Sequence, residues 1–325
     1  MWGNMETKKG ITGSTLKIIA IIAMMCDHIA WTLVDTRLEV LGVDTSDYLS
    51  PLSQIGVSPV LCILSPLLHM IGRITFPIML FALVEGATYT KNWGRYFRRM
   101  IIFALVSEIP YNLAFDRKII MTGGFFGLEG QNAIVTLLFC LLVIWLIKKI
   151  IESENIPGWL RCLSFLGPVV FCSFTGYFYL KRFSRYIDGL SVDFRFGIAL
   201  GGIMLMAYIF LGRKWDRDRL HRINLCMAVT GICAMFTLIL DCDYRYGAVL
   251  AVAIMYIMKA DKNREYLAGT AMLTSYHYYE VFALLAYPVI RQYNGKPGRK
   301  LKYLFYAFYP GHLLALWGLR LLLNL

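Results

Sequence analysis

The sequence predicts an all-α, polytopic transmembrane bundle of about ten helices, and three observations carry that prediction. Of its 325 residues, 58% are hydrophobic and 14% aromatic. The mean hydropathy of +0.57 exceeds what a soluble domain of this length can hide in one core. Apolar runs long enough to form spanning helices recur along the chain, and most of the charge sits in the short segments between them. Those segments leave no room for a soluble module, and neither an internal repeat nor a low-complexity tract is found, so residues 1–325 read as one membrane domain.

The first run, 16–34, follows Lys8 and Lys9 as a signal peptide would. It contains Asp27 and His28 and lacks a small-residue cleavage site, so it is expected to stay as an uncleaved first helix. Runs follow at 65–88, 97–115, 132–151, 162–180, 194–212, 223–240, 246–258, 266–290 and 303–323. An inside N-terminus puts Lys91, Arg95, Arg98, Arg99, Lys148, Lys149, Arg213 to Arg222 and Lys259 to Arg264 on the cytoplasmic side, as the positive-inside rule asks. Residues 35–58, with Asp35, Glu39, Asp44 and Asp47, then face out. Arg291, Lys296, Arg299, Lys300 and Lys302 conflict with ten simple crossings. The conflict disappears if 266–290 is two elements, or a re-entrant one, folded around Tyr276-His277-Tyr278-Tyr279.

The net charge of +12 belongs to helix ends and anionic lipid rather than to nucleic acid. Eight cysteines without a CxxC pair imply no disulfide framework, and the five histidines are spaced too widely for a zinc site, so no metal is expected. Oligomeric state is not legible.

Ionisable side chains inside spans are costly, at about 2.5–3.5 kcal/mol each, so they face the bundle interior and mark sites. They comprise Asp27, His28, Arg73, Glu85, Glu108, His277, Glu280 and His312, with His69 placed beside a helix end. Lys17 and His28, eleven residues apart, fall within about 20° of one helix face and about 16 Å apart along it. Asp27 lies about 100° round from His28 and is expected to pair with a cation on a neighbouring helix, Arg73. Glu108, Tyr111 and Asn112 share a face of the third helix beside Pro110. Tyr303, Tyr306, Tyr309 and His312 recur every third residue in the last helix, which Pro310 is expected to kink. Each has a plain structural alternative: tyrosines as interfacial anchors, loop arginines as topology signals, Asp27 with Arg73 as an ion pair, and Glu108 with its neighbours as helix glue.

The segments Leu16 to Ala20 with Met25-Cys26-Asp27-His28-Ile29, Ile71-Gly72-Arg73-Ile74-Thr75-Phe76-Pro77 with Val84-Glu85-Gly86, and Ser107 to Leu113 resemble the TraX family in order. So do Arg98-Arg99, Gln131-Asn132 with Thr136-Leu137, Tyr244 to Gly247, Tyr293 to Lys296 with Gly298, and Phe305 to His312; residues 152–195 match least. A basic residue followed eleven positions on by a histidine, as at Lys17 and His28, is similar to the wider transmembrane acyltransferases, including the acyltransferase-3 proteins and heparan-glucosaminide N-acetyltransferase. The resemblance implies an acetyltransferase of the cell membrane that takes acetyl from acetyl-CoA to an amine or hydroxyl of a peptide or saccharide acceptor, a pilin N-terminus or a surface glycan. It implies His28 as base or nucleophile, with Asp27 and Glu108 as supporting catalytic candidates. Lys17, Arg98 and Arg99 would hold CoA phosphates, and Arg73 would orient His28 or polarise the thioester. A proton-coupled transporter or flippase remains the alternative, since ten spans with buried charges also describe a carrier. A non-catalytic assembly factor is the third reading.

Overall fold

Local chemistry sets the helix boundaries. In the computed structural model, which describes residues 10–115, 130–184, 194–299 and 301–325, α1 (Gly13–Ile29) starts where the Thr12 hydroxyl accepts a hydrogen bond from the Thr15 N–H at 3.4 Å. It continues through a π-helical turn (Ala30–Asp35) into α2 (Thr36–Val40). The first helical segment therefore runs beyond the expected residue 34.

α3 (Pro59–Gly72) has proline in its first turn, where a missing N–H costs nothing. α4 (Thr75–Tyr89) follows after a break at Arg73–Ile74. Pro77 accounts for the break, because its ring would collide with the Arg73 carbonyl four residues back and it has no N–H to offer that carbonyl.

α5 (Trp93–Ala114) and α6 (Ala133–Glu152) are capped by the side chains of Asn92 and Asn132. Next come α7 (Gly158–Ser164), α8 (Leu166–Phe183), α9 (Phe194–Gly212), and α10 (Arg217–Ile239) capped by Asp216. α11 (Arg245–Met258) is central, with nearly every residue from Tyr246 to Tyr256 buried against α4, α6 and α12. On α9, by contrast, Phe196, Ile203, Met206 and Phe210 are exposed, an apolar face fit for lipid.

The run at 266–290 is two elements. α12 (Lys262–Tyr276) ends at His277, and a 3₁₀ segment (Tyr278–Ala286) leads into α13 (Tyr287–Arg291). The chain comes back to the end it left: Lys262 Nζ donates to the carbonyls of Arg291, at 2.8 Å, and Tyr293. Residues 292–297 then pair with the N-terminal segment through Ile11 N to Gln292 O (2.8 Å) and Gly13 N to Lys296 O (2.8 Å). α14 (Lys302–Leu322) starts from the same end. The conflict over Arg291, Lys296, Arg299 and Lys302 is thereby removed.

That end collects the basic segments. Tyr293 donates to Glu85, Lys148 lies over the Trp93 ring, and Arg222 donates to the Ile150 carbonyl at 2.6 Å. Lys8, Lys9 and Lys300 lie outside the described residues. Asp35, Asp47, Asp241 and Asp243 lie toward the opposite end.

Among the described residues, six helical stretches are long and apolar enough to cross a membrane, and the expected count of about ten is not confirmed. The reason is composition and length. α5 and α14 have 22 and 21 residues but carry basic and tyrosine side chains, α11 has only 14, and 266–290 is split.

Candidate functional site

A cavity of about 400 Å³ lies between α1, α3, α4, α5, the α10–α11 turn and the 3₁₀ segment. Asp27, His28, Arg73, Tyr244, His277 and Glu280 line it. Its walls also include Tyr48 and Asp243, so it sits toward the acidic end.

The expected partnership of Asp27 with Arg73 is present: Arg73 Nη2 alone lies 2.7 and 2.8 Å from the two carboxylate oxygens. Gly72 permits it. A Cβ at that position would overlap the Asp27 carboxylate, so only glycine lets α3 close on α1 here. Arg73 Nη1 donates to Glu280 Oε1 (3.0 Å) and to the Tyr244 hydroxyl (3.4 Å), and Nε to the His69 carbonyl (3.4 Å). The Tyr48 ring lies 5.1 Å away, in cation–π range, and burial pushes the Tyr48 phenol up to about 12 while Arg73 opposes the shift. Each of the three guanidinium nitrogens is in hydrogen-bond contact with a protein acceptor. Arg73 thus holds Asp27 and Glu280 together at the cavity wall.

Two residues in this cluster are missed by the sequence reading. His69, expected beside a helix end, is 1% exposed and bridges two carboxylates. Its Nδ1 is 2.9 Å from Asp27 and its Nε2 2.8 Å from Asp35, which also accepts from Ser65 at 2.6 Å. Asp35 is buried in the helix, not in an outward loop. Eight residues of regular α-helix would carry residue 35 about 80° past the face of Asp27. The wider π turn rotates each residue by less and so brings Asp35 back onto His69.

Lys17 and His28 share a face, as the spacing predicts, and both look toward α14. Lys17 Nζ is 5.8 Å from the centre of the Phe305 ring and has no carboxylate in ion-pair range among the described residues. His28 Nδ1 is 2.7 Å from His312 Nε2, and its ring meets Phe115 edge-on. Between these two depths Phe103 of α5 packs on Tyr306 and Tyr309 of α14, with ring centres 5.0 and 5.8 Å apart, making an aromatic seam. Arg99 stacks over Tyr96 near the basic end of that seam, its Nε buried without a partner among the described residues, while Arg98 is exposed. None of Lys17, Arg98 and Arg99 lines the cavity.

Glu108 is also set apart from His28. It accepts from Asn112 (3.0 Å) and from the Asn132 side chain (2.5 Å), while Asn132 caps α6 through its Oδ1. The arrangement clamps α5 to α6. On the cavity side, the Tyr111 hydroxyl donates to Asp243 at 2.6 Å. Asp243 belongs to a tight turn in which Asp241, Tyr244 and Arg245 hold φ values of 48°, 58° and 39°. Such strain in non-glycine residues persists only where the surroundings fix it. Here Tyr244 stacks on Phe76, with ring centres 3.6 Å apart.

A family model described as TraX protein matches residues 12–169 and 196–320. The chain belongs to the TraX family. The gap between the two matched blocks, 170–195, falls inside the 152–195 stretch where the resemblance is weakest. A relative named "Probable fimbrial assembly protein FimC, serogroup H1", from Dichelobacter nodosus, is 24% identical over 324 residues, covering 95% of this chain and 96% of that protein. No solved structure matches. The matched blocks of this TraX-family chain hold Asp27, His28, Arg73, Glu280 and His312, so the cavity's polar wall lies within the shared part.

Proposed function

We propose that this protein is an acetyltransferase of the cell membrane that moves acetyl from acetyl-CoA to an amine or hydroxyl of a peptide or saccharide acceptor, a fimbrial subunit or a surface glycan. The observation that carries this reading is an imidazole, His28, at the wall of a polar cavity. The cavity lies toward one end of the bundle, and an aromatic seam joins His28 to Lys17 at the other, where no carboxylate among the described residues neutralises it.

An ammonium without a carboxylate suits a phosphate, and a row of aromatic rings suits the long uncharged arm that separates the phosphates of CoA from its thioester. Lys17 and Arg99 would hold the phosphates, with exposed Arg98 adding long-range attraction. The acceptor would enter from the acidic end. Its N–H or O–H proton passes to His28 as its nitrogen or oxygen bonds to the thioester carbonyl carbon. The C–S bond then breaks, and the proton leaves with the thiol. Tyr244, whose hydroxyl accepts from Arg73 and keeps its own hydrogen, is the donor suited to the developing oxyanion. Asp27, Arg73 and Glu280 act as the wall that shapes the cavity.

Incubating membranes that carry the protein with acetyl-labelled acetyl-CoA and identifying the labelled product by mass spectrometry tests the proposal. Transfer that requires His28 is expected. Labelled product formed equally well by His28→Ala would overturn it.

A further inference from the structure

A histidine can act as a base only through a nitrogen that carries no hydrogen, and the surroundings of His28 decide which nitrogen that is. The chain of contacts starts at a backbone carbonyl. His312 Nδ1 lies 2.8 Å from the Phe308 oxygen, which can only accept, so Nδ1 carries the hydrogen. A neutral His312 therefore presents a lone pair at Nε2. His28 Nδ1 sits 2.7 Å from that lone pair and must be the donor.

Ring geometry agrees. The two imidazoles are within 9° of parallel with centres 5.0 Å apart, and two of their nitrogens are in hydrogen-bond contact, so the rings meet edge to edge in one plane rather than face to face. Charge agrees as well. Among the described residues no carboxylate lies within ion-pair distance of His312, so an imidazolium there would stand uncompensated in a buried site.

We infer that His312 is a positioning residue, fixing His28 in the tautomer protonated at Nδ1 and leaving its Nε2 lone pair for the cavity. Nε2 of His28 has no hydrogen-bond partner among the described residues, and His28 lines the cavity. When Nε2 takes a proton, the Nδ1–H bond to His312 spreads the new charge over two rings. The hydrogen that His312 gives to Phe308 carries part of it on to a backbone oxygen. Aspartate fills this place in hydrolase triads. Here a neutral imidazole does so, while Asp27, the next residue in sequence, is turned away and held by Arg73.

This inference rests on the reading of His28 as the base, and nitrogen NMR separates the two. The full chain, labelled with ¹⁵N at its histidine rings, is placed in bicelles, and His28→Gln and His312→Gln identify the signals. The expected spectrum has His28 protonated at Nδ1, bare at Nε2 and coupled through the hydrogen bond to His312. His28 protonated at Nε2 would overturn the inference whatever the protein catalyses.

The kinetic arm uses two variants. Gln at 312 keeps an acceptor oxygen near the place of Nε2, whereas Leu removes it. His312→Leu should lower kcat by about 10–100-fold with KM for acetyl-CoA unchanged, as for loss of other orienting partners. His312→Gln should recover most of that. Equal losses in both variants, or a loss confined to KM, would count against the positioning role. If the wild-type protein transfers no acetyl at all, the acyltransferase proposal fails and the nitrogen spectrum alone decides the tautomer.

Discussion

Asp27, part-buried at the cavity wall, and Glu108, buried, are both carboxylates at membrane depth, and their surroundings make them opposites. Glu108 is held by amides, two of them asparagine side chains, and Asn132 also donates to the Ala104 carbonyl, so neutral hydrogen bonds alone join α5 to the start of α6 there. Asp27 is held by a guanidinium and an imidazole that are themselves held by Glu280 and Asp35, and Asp27, Arg73 and Glu280 of this set line a cavity. Neutral donors can satisfy a carboxylate and fasten two helices, with little consequence for the space around them. A connected set of opposite charges does more: it fixes the shape and charge of a cavity wall, and breaking any member leaves another unpaired. The difference between glue and site therefore lies in the partners of each acid and in whether it faces a cavity.

The comparison predicts that substitutions on the Asp27 side abolish activity or folding while those on the Glu108 side cost only stability. The largest effect is expected at His28, the residue the Asp27 cluster surrounds. His28→Ala should lower kcat for acetyl transfer by about 10²–10⁴, the usual range for a general base, with acetyl-CoA still bound in an equilibrium assay. Loss of that binding would show His28 to be part of the donor site instead.

Next come the charges themselves. Arg73→Leu leaves Asp27 and Glu280 without their cation and should cost about 3–5 kcal/mol, read as a loss of folded protein in detergent. Asp27→Asn combined with Arg73→Gln should recover part of the yield lost by the worse single variant. Strictly additive losses would mean that the two residues do not support one another.

A smaller effect is expected at the far end of the seam. Lys17→Gln removes a charge-assisted contact worth about 1.5–3 kcal/mol and should raise KM for acetyl-CoA by about one to two decades. Lys17→Arg should be mild. An unchanged KM in Lys17→Gln would move the donor site away from α14.

The smallest effect is the one that protects the comparison. Glu108→Gln keeps one acceptor oxygen for Asn132 and loses the charge, so it should cost about 1–2 kcal/mol of stability and leave activity per folded molecule unchanged. A fall in kcat as large as that of His28→Ala would return Glu108 to the catalytic group and dissolve the contrast.

Helical class, membrane character and the residues worth watching were legible in the sequence, because apolar runs and the cost of buried charge are properties of composition and spacing. The shared face of Lys17 and His28 was legible too, since a continuous helix turns about 100° per residue. So was the Asp27–Arg73 pair, because few opposite charges were available. Tertiary structure alone decided the rest. His69 looked peripheral until the break at Arg73 placed α3 against α1. Asp35 looked like a loop acid until a π turn rotated it inward. Arg73 looked free to bind a ligand until each of its three guanidinium nitrogens met a protein acceptor. His312 was one polar residue among several in the last helix, and only the packing of α14 on α1 set its ring against His28. Long-range packing fixes which donors and acceptors meet, and a buried polar group takes its role from the partner it meets.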